Sequence, residues 1–224
     1  MPLTNTAPAT APLRRSPSRL CLIKRDRPAK AVYVIKPPRI GSHVIEAYLQ
    51  SILGITDPTF TLEDDSNIIY LSPELCTGWD VHALFAIVLC STSTDNLIAL
   101  MQTANDRWQK AADFFGRHAS RSMNPGPVFR SFQDAQYEVL ILHPRHFLPC
   151  GETLSISQIP YTVTDMVLKD SAGTPLPTLI NSQRPPLNPF LVTINAHSKI
   201  TNHLEKFQSA FPPHSLELIE KTST

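Results

Sequence analysis

The stretch Val81-His82-Ala83-Leu84-Phe85-Ala86-Ile87-Val88-Leu89-Cys90 carries a single polar side chain, His82, and is the longest apolar run in the chain. It is far shorter than the roughly 20 residues that cross a bilayer, so it reads as an element buried inside a protein. It lies in the interval from Glu74 to Asn124, which has no proline although the chain contains 21. Proline disrupts helix interiors, so its absence predicts helices here. Asp80 is a suitable N-cap for a helix over Val81 to Cys90 that is apolar nearly all round and therefore buried.

Outward from that stretch, Thr94 and Asp95 can open a second helix. Leu97, Ile98, Met101, Ala104, Trp108, Ala111, Ala112 and Phe115 form its apolar stripe, and Gly116 suits its C-terminal end. On this reading Trp108 and Phe115 are core, while Arg107, Lys110 and Arg117 face solvent. Upstream, Ala31 to Ile35 reads as a strand ended by Pro37-Pro38. Ser42 then caps a helix with Val44, Ile45, Tyr48, Leu49 and Ile52 on one side, up to Gly54. Phe60 to Leu62 and Ile68 to Leu71 flank the acidic turn Glu63-Asp64-Asp65-Ser66-Asn67 and read as a hairpin.

Past Asn124-Pro125-Gly126-Pro127 the pattern changes to strands: Val128 to Phe132, Tyr137 to His143, Thr153 to Ile159, Tyr161 to Lys169 and Leu191 to Ile194. Asp170-Ser171-Ala172-Gly173 is a turn, and Arg184 to Pro189 is a stiff connector. Ser198 starts a final amphipathic helix on Ile200, Leu204 and Phe207. The fold class is α+β: a helical first half after one N-terminal strand, an antiparallel β-rich second half and a C-terminal helix. Residues 31–124 are mainly helical, 125–195 mainly strand, and 196–224 hold the last helix. Together, 31–224 form one α+β body, preceded by a flexible, basic, proline-rich arm over residues 1–30.

Charge divides the chain along the same line. Residues 1–40 hold nine basic side chains against one acid, Asp26, a net of +8. Removing these from the totals of 20 and 19 leaves 11 basic and 18 acidic residues, a net of −7, so a formal charge of +1 conceals a cationic arm on an acidic body. Arg14, Arg15, Arg19, Lys24, Arg25, Arg27 and Lys30 can pair with phosphates through counterion release, independently of base sequence. The partner expected is nucleic acid, RNA ahead of DNA, or an anionic membrane surface. Ser16 and Ser18 are candidate phosphorylation sites whose modification would cut that charge.

Motifs for other chemistries are missing or incomplete. With 7 scattered glycines there is no GxGxxG or Walker-type loop, and GxSxG and HExxH are also absent. Cys21, Cys76, Cys90 and Cys150 show no CxxC pairing, which suits free thiols in a reducing, intracellular and cytoplasmic setting. The N-terminus lacks the apolar core of a secretory signal. His143, His146 and Cys150 are metal-ligating types with Glu152 nearby as a possible base, but Pro144 forces an extended or turn geometry and only these three ligands lie close together. Cys76 with His82, or Cys150 with any histidine, could form a thiol dyad. The expectation is no catalytic residue, no metal and no cofactor.

Scarce glycine beside abundant proline and threonine fits a G-poor, C-rich gene of the kind some RNA viruses carry. The sequence therefore points to a viral structural protein of capsid or matrix type that self-assembles as a homo-oligomer, located in the cytoplasm or the virion. The alternatives are a small accessory protein, such as a silencing suppressor or host-factor antagonist, and a cysteine protease.

Overall fold

The structure, a computed structural model, describes residues 20–38, 41–52, 54–56, 58–115, 130–148, 152–164, 167–181, 183 and 185–207. It is a mixed α+β fold with helices and antiparallel sheets: an N-terminal strand, helices first, a strand-rich middle and a C-terminal helix.

At its centre is a strand, β3 (Phe85–Leu89), buried along its whole length. This corrects the helix expected over Val81 to Cys90. Phe85, Ile87 and Leu89 belong to the larger core cluster, with Tyr137, Ile141, Trp79 and Leu97. Ala86 and Val88 belong to a second cluster, with Leu140, Leu142, Ala196 and Ile200. A continuous apolar run fits a helix buried all round or a strand buried on both faces equally well, and two separate cores select the strand.

Asp80 does not cap a helix here; it ends one. Helix α2 (Pro73–Asp80) starts with proline in its first turn, where the missing N–H costs nothing. Its end is closed by bonds from the Val81 and His82 N–H groups to the Thr77 carbonyl, and from Leu84 N to Gly78 O. Ala83 takes a left-handed φ of 47° as the chain reverses into β3.

Strand β4 (Gln136–Ile141) pairs with β3 from Phe85 opposite Ile141 to Leu89 opposite Tyr137, and the short β8 (Leu179–Ile180) pairs with the start of β4. A second sheet, β5 (Leu154–Ile156), β6 (Ile159–Thr164) and β7 (Val167–Asp170), is a meander. Its first turn, Ser157-Gln158, has φ of 48° and 69°, the primed geometry that matches strand twist. Beyond β7, the Asp170 carboxylate accepts from Ala172 N and Thr174 N, and Gly173 supplies φ 81°, so the turn expected there forms.

The third sheet pairs β1 (Lys30–Tyr33) with β2 (Ile68–Leu71). The expected hairpin partner of Ile68 to Leu71 was Phe60 to Leu62, but β1 takes that place, and Asp65–Asn67 is a 3-10 turn capped by the Asp64 side chain. Helix α1 (Ser42–Ala47) runs into a π-helical turn, Tyr48–Ile52, and Gly41 with φ 82° precedes it in place of a capping serine.

Helix α3 (Ser91–Phe115) is the expected long amphipathic helix, and Thr94 and Leu97 are its buried side chains. Of the expected strand Val128 to Phe132, residues 128 and 129 lie outside the described residues, while Arg130 and Ser131 are helical. One helical turn, α4 (Pro144–Phe147), follows β4. Helix α5 (Pro189–Phe207) absorbs Leu191 to Ile194, which were expected as a strand. The Asn188 side chain accepts from Phe190 N and Leu191 N, an N-cap that starts the helix well before Ser198.

A single buried amide joins three of these segments. Asn67 is fully buried; its Oδ1 accepts from Ile35 N at 2.8 Å, and its Nδ2 donates to Ile35 O at 2.8 Å and Leu62 O at 2.7 Å. Asn67→Ala leaves those backbone groups buried without partners, so thermal denaturation of the full chain should show Tm lowered by roughly 5–12 °C. An unchanged Tm would mean that the clamp contributes nothing.

Candidate polyanion-binding surface

The basic segment assigned to the arm divides at Leu20. Arg14, Arg15, Ser16, Ser18 and Arg19 lie outside the described residues. From Leu20 onward the chain packs against the body, unlike the expectation that residues up to 30 form part of the arm. Cys21 and Ile23 are 1% exposed and Leu22 8%. Leu20 bridges Pro28, Cys21 N donates to Arg27 O, and Leu22 N donates to Tyr70 O on β2 at 2.8 Å. The run Leu20-Cys21-Leu22-Ile23 was the signal in the sequence: an apolar run inside a basic segment can enter the core, and Cys21 to Ile23 do.

This loop sorts the candidate cations by role. Lys24 is 8% exposed and forms an ion pair with Glu74 on α2, so it is an internal strut and not a surface charge. The hydrogen bond from Lys24 holds the Glu74 carboxyl below its ordinary range, and nearby Arg27 contributes in the same direction. Arg25, Arg27 and Lys30 are exposed. Arg25 has φ 48°, a left-handed conformation costly for any residue with a Cβ, and its N–H bonds the Cys21 carbonyl. Arg25, Asp26 and Arg27 thus sit at the tip of a hydrogen-bonded loop anchored in the core. Lys36, also basic, pairs with Asp80 at 2.9 Å on the surface.

The other candidate groups are dispersed. Burial pushes the Cys76 thiol pKa up, which suppresses the thiolate, and its Sγ contacts the Leu71 carbonyl. Cys90 is buried with Sγ near Ser93 Oγ, and Cys150 lies outside the described residues. Cys76 lines a groove with β1, whereas His82 lines a different cavity with Leu84, His143 and His146. The His143 and His146 rings are 6.2 Å apart, and among the described residues no three His, Cys, Asp or Glu side chains are placed to hold a metal ion. Trp108 is half-buried, with Arg107 and Lys110 exposed beside it; nothing is described of the Phe115 side chain or of Arg117.

Sequence reading missed Lys199. On α5, its Nζ is buried without a hydrogen-bond partner and lies 3.1 Å from the centroid of the Trp79 ring. Burial lowers its pKa to about 7, with Asp80 acting in the opposite direction. It lies three residues after Ala196 and seven after Val192, both buried on α5, and that helical spacing was the available signal.

Among the described residues no helix is long and apolar enough to cross a membrane. Comparison with protein-family models, with curated proteins and with solved structures returns no match to this chain.

Two outcomes follow from these buried cations. Removing the carboxylate with Glu74→Ala strands Lys24 in the core and should lower stability by about 2 kcal/mol in denaturant titration, whereas Lys24→Met should cost less than half of that. Equal losses would contradict the strut. For Lys199, the unfolded chain binds more protons than the folded one between pH 7 and 10.5, so stability should rise with pH across that window, and the penalty is greatest below it. Lys199→Met should therefore stabilise the protein by up to about 5 kcal/mol at pH 6, with most of the gain gone by pH 10.5. A gain independent of pH would contradict the assignment.

Proposed function

We propose that the protein is a non-enzymatic viral structural protein of capsid or matrix type. In this reading its acidic body self-assembles, and its basic N-terminal segment contacts a polyanion: nucleic acid, RNA ahead of DNA, or an anionic membrane leaflet. The observation that carries the reading is the division of a net +8 over residues 1–40 from a net −7 over the rest. The way the segment joins the body supports it. Residues 21–23 are core, so the arginines before Leu20 continue into a loop that holds Arg25 and Arg27 at the surface. Arg25 has no carboxylate partner among the described residues. A guanidinium left unpaired on an ordered loop is available to phosphate oxygens.

The Cys76–His82 form of the protease alternative loses ground on the geometry of its thiol. A nucleophilic cysteine needs a favoured thiolate and a base beside it, whereas the Cys76 thiol is pushed toward its neutral form and opens on a different cavity from His82.

The test uses the full chain and single-stranded RNA in a salt titration. Arg25→Glu with Arg27→Glu should weaken binding at least 5-fold at low salt and flatten the slope of log K against log salt by about 1.4. Deleting residues 2–19, which spares Cys21 to Ile23, should flatten it by about 2, since three arginines are lost. Sedimentation should show species larger than dimers for the full chain. Salt-independent RNA retention, or retention unchanged in both variants, would overturn the polyanion reading; strictly monomeric or dimeric protein would overturn the assembly reading.

A further inference from the structure

The anchored loop also closes one side of a cavity of about 350 Å³, lined by Leu20, Cys21, Leu22, Arg25, Tyr70, Ile180 and Gln183. Its walls come from three places in the sequence: the 20–28 loop, the middle of β2 and the end of β8. Leu20 is 57% exposed and Ile180 45% exposed, so two of the large apolar side chains that this fold leaves in solvent face the same hollow. Scattered apolar residues on a surface need no explanation, but two that converge on one concavity do.

The chemistry of the lining is uneven in an informative way. Leu20, Leu22 and Ile180 are aliphatic, Tyr70 adds an aromatic ring, and Arg25 is the one cation among the lining residues. The groove beside β1 differs, because its Lys36 is already paired with Asp80. Arg25 reaches its position through a left-handed backbone conformation that costs on the order of 1 kcal/mol, and such strain persists where surrounding contacts fix it. Those contacts are the Arg25 N–H to the Cys21 carbonyl and the Leu22 N–H to Tyr70 O, which also holds the loop against the cavity wall.

We propose that this cavity binds one nucleotide of single-stranded RNA, with the base between the aliphatic wall and Tyr70 and the 5′-phosphate on the Arg25 guanidinium. Unpaired bases are recognised by stacking on aromatic and guanidinium planes, and such contacts tolerate any base because every base has a π-face. The cavity volume lies at the small end of the range for ligand pockets, which suits one nucleotide. Position favours the same occupant. Leu20 lines the rim and follows Arg19 directly in sequence, so the cavity adjoins the basic N-terminal segment along the chain. The inference rests on the polyanion reading above and narrows it to nucleic acid with unpaired bases.

The test uses the full-length protein and small probes that do not need the N-terminal arginines: uridine 5′-monophosphate, inorganic phosphate and dodecyl phosphate, each followed by thermal shift and by competition with labelled single-stranded RNA. Uridine monophosphate should bind with Kd on the order of 1 mM and, at ten times that concentration, raise Tm by about 3 °C, with phosphate giving no shift. Ile180→Asp, an exposed position on a short edge strand, should abolish the shift while leaving the Tm of the free protein within about 2 °C of wild type. Arg25→Ala should weaken it at least 5-fold. RNA substituted with 4-thiouridine should photocrosslink to Tyr70 or to residues 20–28. An equal shift from phosphate would mean an anion site without base recognition and would overturn the proposal, as would a larger shift from dodecyl phosphate, which marks a lipid ligand. Crosslinks confined to residues 1–19, with full RNA affinity in Ile180→Asp, would also overturn it while leaving the polyanion reading intact. That reading falls separately, if the full chain retains no RNA at low salt.

Discussion

Everything else in this fold is arranged around a strand that cannot be exposed on either side. Four of the five residues of β3 are fully buried and the fifth nearly so, and their side chains alternate between two hydrophobic clusters. A strand of this kind must be covered twice. Helix α5 supplies one cover through Ala196 and Ile200, and the opposite face receives Trp79 of α2 and Leu97 of α3. The two aromatic contacts of Phe85, with Trp79 at 5.6 Å and Phe147 at 5.4 Å, close the end where the chain enters. The small side chain of Ala86 sits on the face that α5 covers, where a helix needs room to approach the sheet.

The burial of β3 also explains why the N-terminal strand and its loop are held in place. Strand β1 lies against α2, whose Trp79 indole N–H reaches the Tyr33 carbonyl. Asn195 of α5 donates to the Val34 carbonyl at 2.6 Å, so both covers of β3 also grip the end of β1. Strand β2 in turn takes β1 on one edge and Leu22 on the other. The basic loop is thereby tied to the central strand through two intermediate layers of hydrogen bonding. Its cations inherit that order: Lys24 becomes internal because its neighbours are core, and Arg25 is held at the rim of a cavity.

Sequence patterns disclosed the fold class and the long helix α3, because a helical stripe from Leu97 to Ala112 has only one plausible period. They could not distinguish a buried helix from a doubly covered strand at Val81 to Cys90, since an unbroken apolar run carries no period at all. Leu191 to Ile194 failed for a related reason. Leu191, Val192 and Ile194, soon after a proline, read as a strand until Asn188 is seen capping them. The candidate surface was half legible. Clustered arginines announced a basic segment, but the average composition of residues 1–30 hid Cys21 to Ile23, and composition is blind to three consecutive apolar residues that bury. Tyr70 and Ile180 could not have been joined to Arg25 by any local pattern, because three distant segments build that cavity.

Anchoring at Leu20 changes what the charge asymmetry can do. Arg14 is six residues from Leu20, so even a fully extended chain keeps its Cα within about 21 Å of the loop. In the proposed reading, a polyanion held by the N-terminal arginines would therefore lie within reach of the loop that carries Arg25. Two acids near the basic segment are already engaged, Glu74 by Lys24 and Asp80 by Lys36. Lys24 and Lys36 thus occupy Glu74 and Asp80, while Arg25 has no carboxylate partner among the described residues. That division suits the side chains, because lysine serves as a point charge in an ion pair, whereas the planar fork of arginine is better matched to phosphate and to the face of a base.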